Sequence, residues 1–103
     1  MRQSIKKTLL SAVGVDGSSV VKAVGIYDAI SFQVKATGVT TGADVLIEVS
    51  EDGVTFMTYH TFNIVANGNH FCSIEGEAVA HVRTTVDNWT DGAYTVTLFA
   101  RGE

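Results

Sequence analysis

An all-β fold, an antiparallel β-sandwich of about eight short strands with the jelly roll among its forms, is predicted by three features of the sequence. Fifteen Val and twelve Thr in 103 residues favour pleated strand over helix, because branching at Cβ restricts χ1. Several runs alternate apolar and polar residues with period two, the pattern of a strand with one buried face. Breaks rich in Gly, Asn and Asp recur about every ten residues. With ten Gly and no Pro, the turns rest on residues that tolerate positive φ.

Along the chain, "MRQSIKKTLLSAVGV" sets basic residues before a short apolar run. Residues 8–15 are at the short end for a secretory leader, and no small-residue cleavage site follows. We therefore expect residues 1–10 to be a retained basic N-terminal arm or first strand, with 11–103 forming a single β-sandwich domain. Residues 4–10 and 19–24 are weak strand candidates. Residues 28–36 place Ile30, Phe32, Val34 and Ala36 on one face, and Ser31, Gln33 and Lys35 on the other. Residues 44–50 turn Val45, Ile47 and Val49 inward and Glu48 and Ser50 outward. Residues 54–62 and 69–75 are weaker; in the first, Met57 and Tyr59 share one parity, Phe56 and Phe62 the other. Residues 78–86 alternate Ala80, Val82, Thr84 and Val86 with His81, Arg83 and Thr85. Residues 93–101 set Tyr94, Val96, Leu98 and Ala100 against Thr95, Thr97 and Phe99. Between them lie "TGVTTGAD", "SEDG", "ANGN", "EGE" and "DNWTDGA", all turn chemistry.

Composition bounds the function. Apolar residues make up 46% and charged residues 17%, so a single packed core is feasible and global disorder is not expected. The lone Cys72 forbids an intramolecular disulfide and fits assembly in a reducing compartment. No apolar run approaches the ~20 residues that cross a bilayer. Net charge is −4, but residues 1–35 carry five bases against two acids, and residues 36–103 two bases against nine acids. The acidic majority argues against nucleic acid, which requires a coherent basic surface.

The stretch "LIEVSEDGVTFMTYHTF" (46–62) gathers Glu48, Glu51 and Asp52 around Gly53. A calcium loop needs oxygen ligands at alternate positions and a closing Glu, and Val54, Thr55 and Phe56 break that spacing. Asp-Gly between alternating runs instead predicts a hairpin turn, with Glu48 solvated on the outward face. His60, His70 and His81 sit in three strand candidates without a short ligand spacing, so separate structural histidines are expected rather than a zinc site. Nothing local activates Cys72, no context orders a Ser-His-Asp triad, and "GVDGSS" lacks the Lys of a phosphate loop. We expect no enzyme activity, no cofactor and no metal. Both faces of the later strands are partly apolar, which leaves one face free as a binding or oligomer surface.

The segment "VLIEVSEDGVTF" resembles a pattern of small virion proteins of tailed bacteriophages, in which a strand ending V-x-V-S-x-D-G-x-T-[FW] turns into the next. "AVAHVRTTVDNWTDGAYTVTLFARG" is similar in style to their later strands. The resemblance implies a structural virion protein of capsid decoration or cement type, assembled in the host cytoplasm. It implies a homo-oligomer, often a trimer, bound to the major capsid protein at the capsid surface, with no catalytic residues to carry over. On that reading the contacts are Arg2, Lys6, Lys7 and Leu9 of the basic arm, and the outward apolar residues Met57, Tyr59, Trp89 and Phe99. Phe56 stands where sugar-binding sandwiches with the same hairpin stack a Trp. The alternative is a carbohydrate- or receptor-binding module, with Trp89, Asn88 and Asp91 of "DNWTDGAY" as platform and acceptors. A small head–tail or tail component is the third.

Overall fold

Alternating burial organises the computed structural model, which describes residues 3–25, 27, 29–74 and 79–102. In chain order the strands are β1 (Gln3–Val13), β2 (Gly17–Ser18), β3 (Lys22–Ala23), β4 (Ala29–Thr37), β5 (Ala43–Ser50), β6 (Met57–Ile64), β7 (Gly68–Ile74), β8 (His81–Asp87) and β9 (Ala93–Gly102). All pairings are antiparallel. The first sheet runs β1-β9-β4-β7, and the second runs β2-β8-β5-β6 with β3 also on β8. Arg2 and the "EGE" turn lie outside the described residues.

β2 and β3 are two pieces of one strand position along β8, where Gly17 faces Val86 and Lys22 faces Val82. Ser19 spans the gap: its N–H donates to the Thr84 carbonyl at 2.7 Å, and its Oγ accepts the Thr84 N–H at 3.0 Å. Taken as one, they give eight strands in which first pairs with last, second with seventh, third with sixth and fourth with fifth. Every connection except β5–β6 crosses between sheets. That is the jelly-roll form of the sandwich.

The core follows the period-two reading. Ile30, Phe32, Val34 and Ala36 of β4 and Tyr94, Val96, Leu98 and Ala100 of β9 meet Val45 and Ile47 of β5 and Val82 and Val86 of β8. Thr84 is fully buried among them because its hydroxyl donates to the Leu46 carbonyl at 2.9 Å, so it carries no unpaired polar group inside.

Two elements break the simple alternation, β1 by its bulges and the β5–β6 connection by its length. From Gln3 onward the basic N-terminal segment is a strand hydrogen-bonded along β9. Thr8 faces Thr97 but Leu10 faces Val96, so Leu9 is an extra residue in the ladder; a second shift follows near Ala12, whose φ is 51°. The bulge turns both Leu9 and Leu10 into the core. Leu9 is therefore a packing residue and not an exposed contact. The β5–β6 connection is also longer than a two-residue Asp-Gly turn. It runs over residues 51–56, and a register shift between Ile47–His60 and Glu48–Thr58 leaves Tyr59 unpaired.

Gly42 begins the step into β5 at φ 110°, and a Cβ there would overlap the Ile64 carbonyl oxygen. Gly38 has φ 66° with open space around it. Gly38→Ala should cost about 1–2 kcal/mol of backbone strain, whereas Gly42→Ala should cost more than about 3 kcal/mol or prevent folding. Denaturant unfolding of the two variants checks the difference.

Candidate functional site

The acidic hairpin is a self-contained turn. The Asp52 carboxylate accepts the N–H groups of Val54 at 2.8 Å and Thr55 at 2.9 Å and the Ser50 hydroxyl at 2.9 Å. Ser50 Oγ in turn accepts the Gly53 N–H at 2.9 Å. These bonds, the Thr55 N–H foremost, lower the Asp52 pKa to about 2. Glu48 is ion-paired rather than solvated. It stands opposite Arg83 in the ladder, accepts Arg83 Nε at 3.0 Å and also takes the Thr85 hydroxyl, with its side chain 12% exposed. The Arg83 guanidinium lies 4.1 Å over the Phe56 ring, a cation–π contact across the outer surface.

The three histidines are apart in role. His60 of β6 and His70 of β7 flank Phe62, at ring-centroid distances of 4.5 and 5.6 Å, and together close that side of the sandwich. His81 lies beneath the β5–β6 loop against Gly53. Among the described residues no group of three or more His, Cys, Asp or Glu is placed to hold a metal ion. Cys72 faces Phe32, and burial pushes its thiol pKa up, which disfavours the reactive thiolate.

In the β8–β9 loop the polar groups that looked like a sugar site hold the chain itself. The Asp91 carboxylate accepts the N–H groups of Thr40 (3.1 Å), Thr41 (3.0 Å) and Gly42 (2.9 Å). Those amides, Thr41 first, lower its pKa. Asn88 donates to Asp44 at 2.9 Å, and Asn63 does so at 2.8 Å from the other side. The Asp44 pKa is lowered accordingly, by Asn88 most. Trp89 is fixed at both ends, its indole N–H on the Gly92 carbonyl at 2.9 Å and its backbone N–H on Asp16 at 2.8 Å. It remains 36% exposed, so it offers an edge without the free acceptors of a platform.

What stays free lies on the sheet faces. On the outer face of the first sheet, Lys6, Phe99, Ser31 and Ser73 form one row across β1, β9, β4 and β7. Lys6 Nζ stands 5.8 Å over the half-buried Phe99 ring. Arg101 and Lys35 flank this row, and none of the described residues on this face is acidic. A shallow cavity of about 630 Å³ opens here beside Lys6, Phe99 and Arg101. Lys7 falls opposite Leu98 on the core-facing parity and is exposed at the sheet border. The outer face of the second sheet is acidic: Asp44 faces Asp87 one row from Leu46 and two from the Glu48–Arg83 pair. Met57 and Tyr59 belong to neither face. Met57 pairs with Val49, whose parity is inward, and both line a groove of about 610 Å³ at the end of the sandwich with Val79, Asp52 and Thr55. The bulge at Tyr59, invisible in residue spacing, moved them there.

No protein-family model matches the sequence, and no curated protein matches it significantly. Solved structures do. The SPBc2 prophage-derived protein YomS superposes with TM-score 0.72 at 12% identity, covering 99% of this chain and 96% of that one. A chain of infectious bursal disease virus, Gx strain, matches with TM-score 0.56 at 10% identity over 98% of this chain and 32% of its own. A chain of the Bacillus endospore appendages, disulfide-linked pili, matches with TM-score 0.54 at 14% identity over 99% and 84%. At these identities the likeness is one of fold.

Asp52 and Asp91 have lowered pKa values in the folded chain, so their stabilising effect is complete above the unfolded value of about 3.9 and is lost as pH falls through the lowered values, which for Asp52 is about 2. Thermal unfolding followed across that window should show the loss. The Asp52→Asn/Asp91→Asn double variant, whose amides do not titrate, should lessen it and leave the part due to Asp44.

Proposed function

We propose that the chain is a non-enzymatic structural protein of a virion, of capsid decoration or cement type, which seats on the major capsid protein through the basic, aromatic face of its first sheet. The observation that carries this reading is how the side chains are allocated. Asp52, Asp91, Asn88 and the Trp89 indole are tied to the chain's own backbone and loops, whereas Lys6, Lys35, Phe99 and Arg101 remain on one sheet face. Such a face suits adhesion to a broad surface better than enclosure of a small ligand. The end-to-end likeness of the roll to a prophage-derived protein supports a phage setting. The viral chain among the fold neighbours is compatible with a place in a virion more generally. Decoration works by multivalence: each subunit adds a modest contact, and contacts to neighbouring capsid subunits combine.

A carbohydrate- or receptor-binding module is the second reading, favoured by the exposed edge of Trp89 and weakened by the commitment of Asn88 and Asp91 to internal bonds.

Co-sedimentation with capsids lacking the protein is the test. Binding should weaken as salt rises, because charged rims act through screened attraction. Lys6→Glu/Lys35→Glu should lower affinity by about tenfold or more, and Asp87→Lys on the opposite face should leave it unchanged. Absence of wild-type binding to particles, with hits on a glycan array, would overturn the decoration reading in favour of the second.

A further inference from the structure

The two sheets end in border strands: β1 and β7 on the first, β2/β3 and β6 on the second. A border strand shows a row of unpaired N–H and C=O groups, and folded proteins guard such rows with charges, bulges or short length. Three of these borders are guarded. β1 carries Lys6 and Lys7 and two register shifts. β2 and β3 are two residues each. β6 is broken by the bulge at Tyr59. β7 has no such guard. Its seven residues pair with β4 in unbroken register, and among the described residues no strand pairs with its other side. At about 3.4 Å per residue this leaves about 20 Å of open ladder. Phe71 stands on it 67% exposed.

The charge pattern says what covers it. From Gly53 to Ile74 the sequence contains no Lys, Arg, Asp or Glu, and this span holds all of β6 and β7. A two-fold axis sets a strand against its own reverse, so a charge on it meets like charge nearby; a strand free of charge escapes that repulsion. A partner of opposite charge gains nothing from such a border.

We infer that β7 pairs antiparallel with β7 of a second copy across a two-fold axis, joining two four-stranded sheets into one of eight. With the axis at Phe71, that ring meets its counterpart on the outer face and Asn69 of each copy faces Ser73 of the other, and the aromatic cross-strand contact favours the pairing. Half-buried Cys72 gains cover on the inner face. The β6 side of the seam is already closed by Phe62 between His60 and His70. The pairing stands apart from the decoration reading, and it gives a two-fold dimer where the resemblance implies a trimer.

Sedimentation velocity of the full chain, with amide hydrogen exchange over residues 68–74, tests it. The wild type should be a dimer whose β7 amides are protected like those of β4. Phe71→Lys, which sets like charges beside each other, should weaken dimerisation about tenfold or more with an unchanged circular dichroism spectrum. Ser73→Lys should do the same and serves if the first variant does not fold. A wild type that stays monomeric at about 100 μM would overturn the inference. So would a Phe71→Lys dimer with freely exchanging β7 amides, or β7 protection that arises only on particles, which would indicate a foreign strand. A dimer that ignores particles upholds the pairing while overturning the decoration reading, and a monomer that binds them does the reverse.

Discussion

The carboxylate of Asp91, gathering the N–H groups of Thr40, Thr41 and Gly42, holds together the two crossovers on which the roll depends. The segment it grips carries the chain from β4 to β5, and Asp91 itself lies where the chain passes from β8 to β9. These four strands are the central ones of both sheets. The grip is reciprocal, because the Gly42 carbonyl accepts the N–H of Thr90 at 2.9 Å, and the buried Tyr94 hydroxyl fixes the Asp91 carbonyl at 2.8 Å. The neighbouring crossovers join in: Asn67 caps Val39, and Asp16 caps Trp89. Each bond satisfies an amide that a non-repetitive crossover would otherwise leave unpaired. At Gly42 no side chain fits, since the Ile64 carbonyl occupies the space of a Cβ.

This clasp also determines where function can reside. The Asp91 carboxylate, engaged by three amides of the β4–β5 segment, could accept from a ligand only by giving up some of those bonds. The sheet faces are under no such constraint. Their opposite charge follows from topology. β1 and β4, which bring Lys6 and Lys35, both belong to the first sheet, while β5 and β8, which bring Asp44, Glu48 and Asp87, both belong to the second. The roll thus converts an asymmetry between the two ends of the sequence into an asymmetry between the two faces of the molecule.

How much of this was legible beforehand depended on whether spacing alone carries the information. The strands at 28–36, 44–50 and 93–101 appear within a few residues of their expected bounds, because each pairs with a central neighbour in regular register and alternates buried and outward residues along its length. β1 read weakly because its bulges put Leu9 and Leu10 side by side in the core, a pattern no period of two contains. The bulge at Tyr59 likewise takes Met57 and Tyr59 off the sheet face, although both remain exposed. Sequence alone leaves Glu48 solvated, since nothing local reveals that Arg83, thirty-five positions away, faces it. Asp91 looked like a ligand acceptor for a similar reason. A turn Asp shows its chemistry in sequence, but its donors lie about fifty residues off.

Face and border act together if the sheets continue through β7. In an antiparallel pair, directly opposed residues point to the same side, so an axis through two β7 strands stands perpendicular to the sheet. Both basic faces then lie side by side and look the same way, with the Lys6–Phe99 row of each copy three strands from the seam. A single such face, resting on a few screened charges and one half-covered ring, holds weakly. Two in one plane bind as one body, the second contact forming at the effective concentration set by the first. The unguarded border is then no defect of an otherwise guarded sandwich. On the proposed reading, it would let a small domain with one modest adhesive face grip a repeating surface.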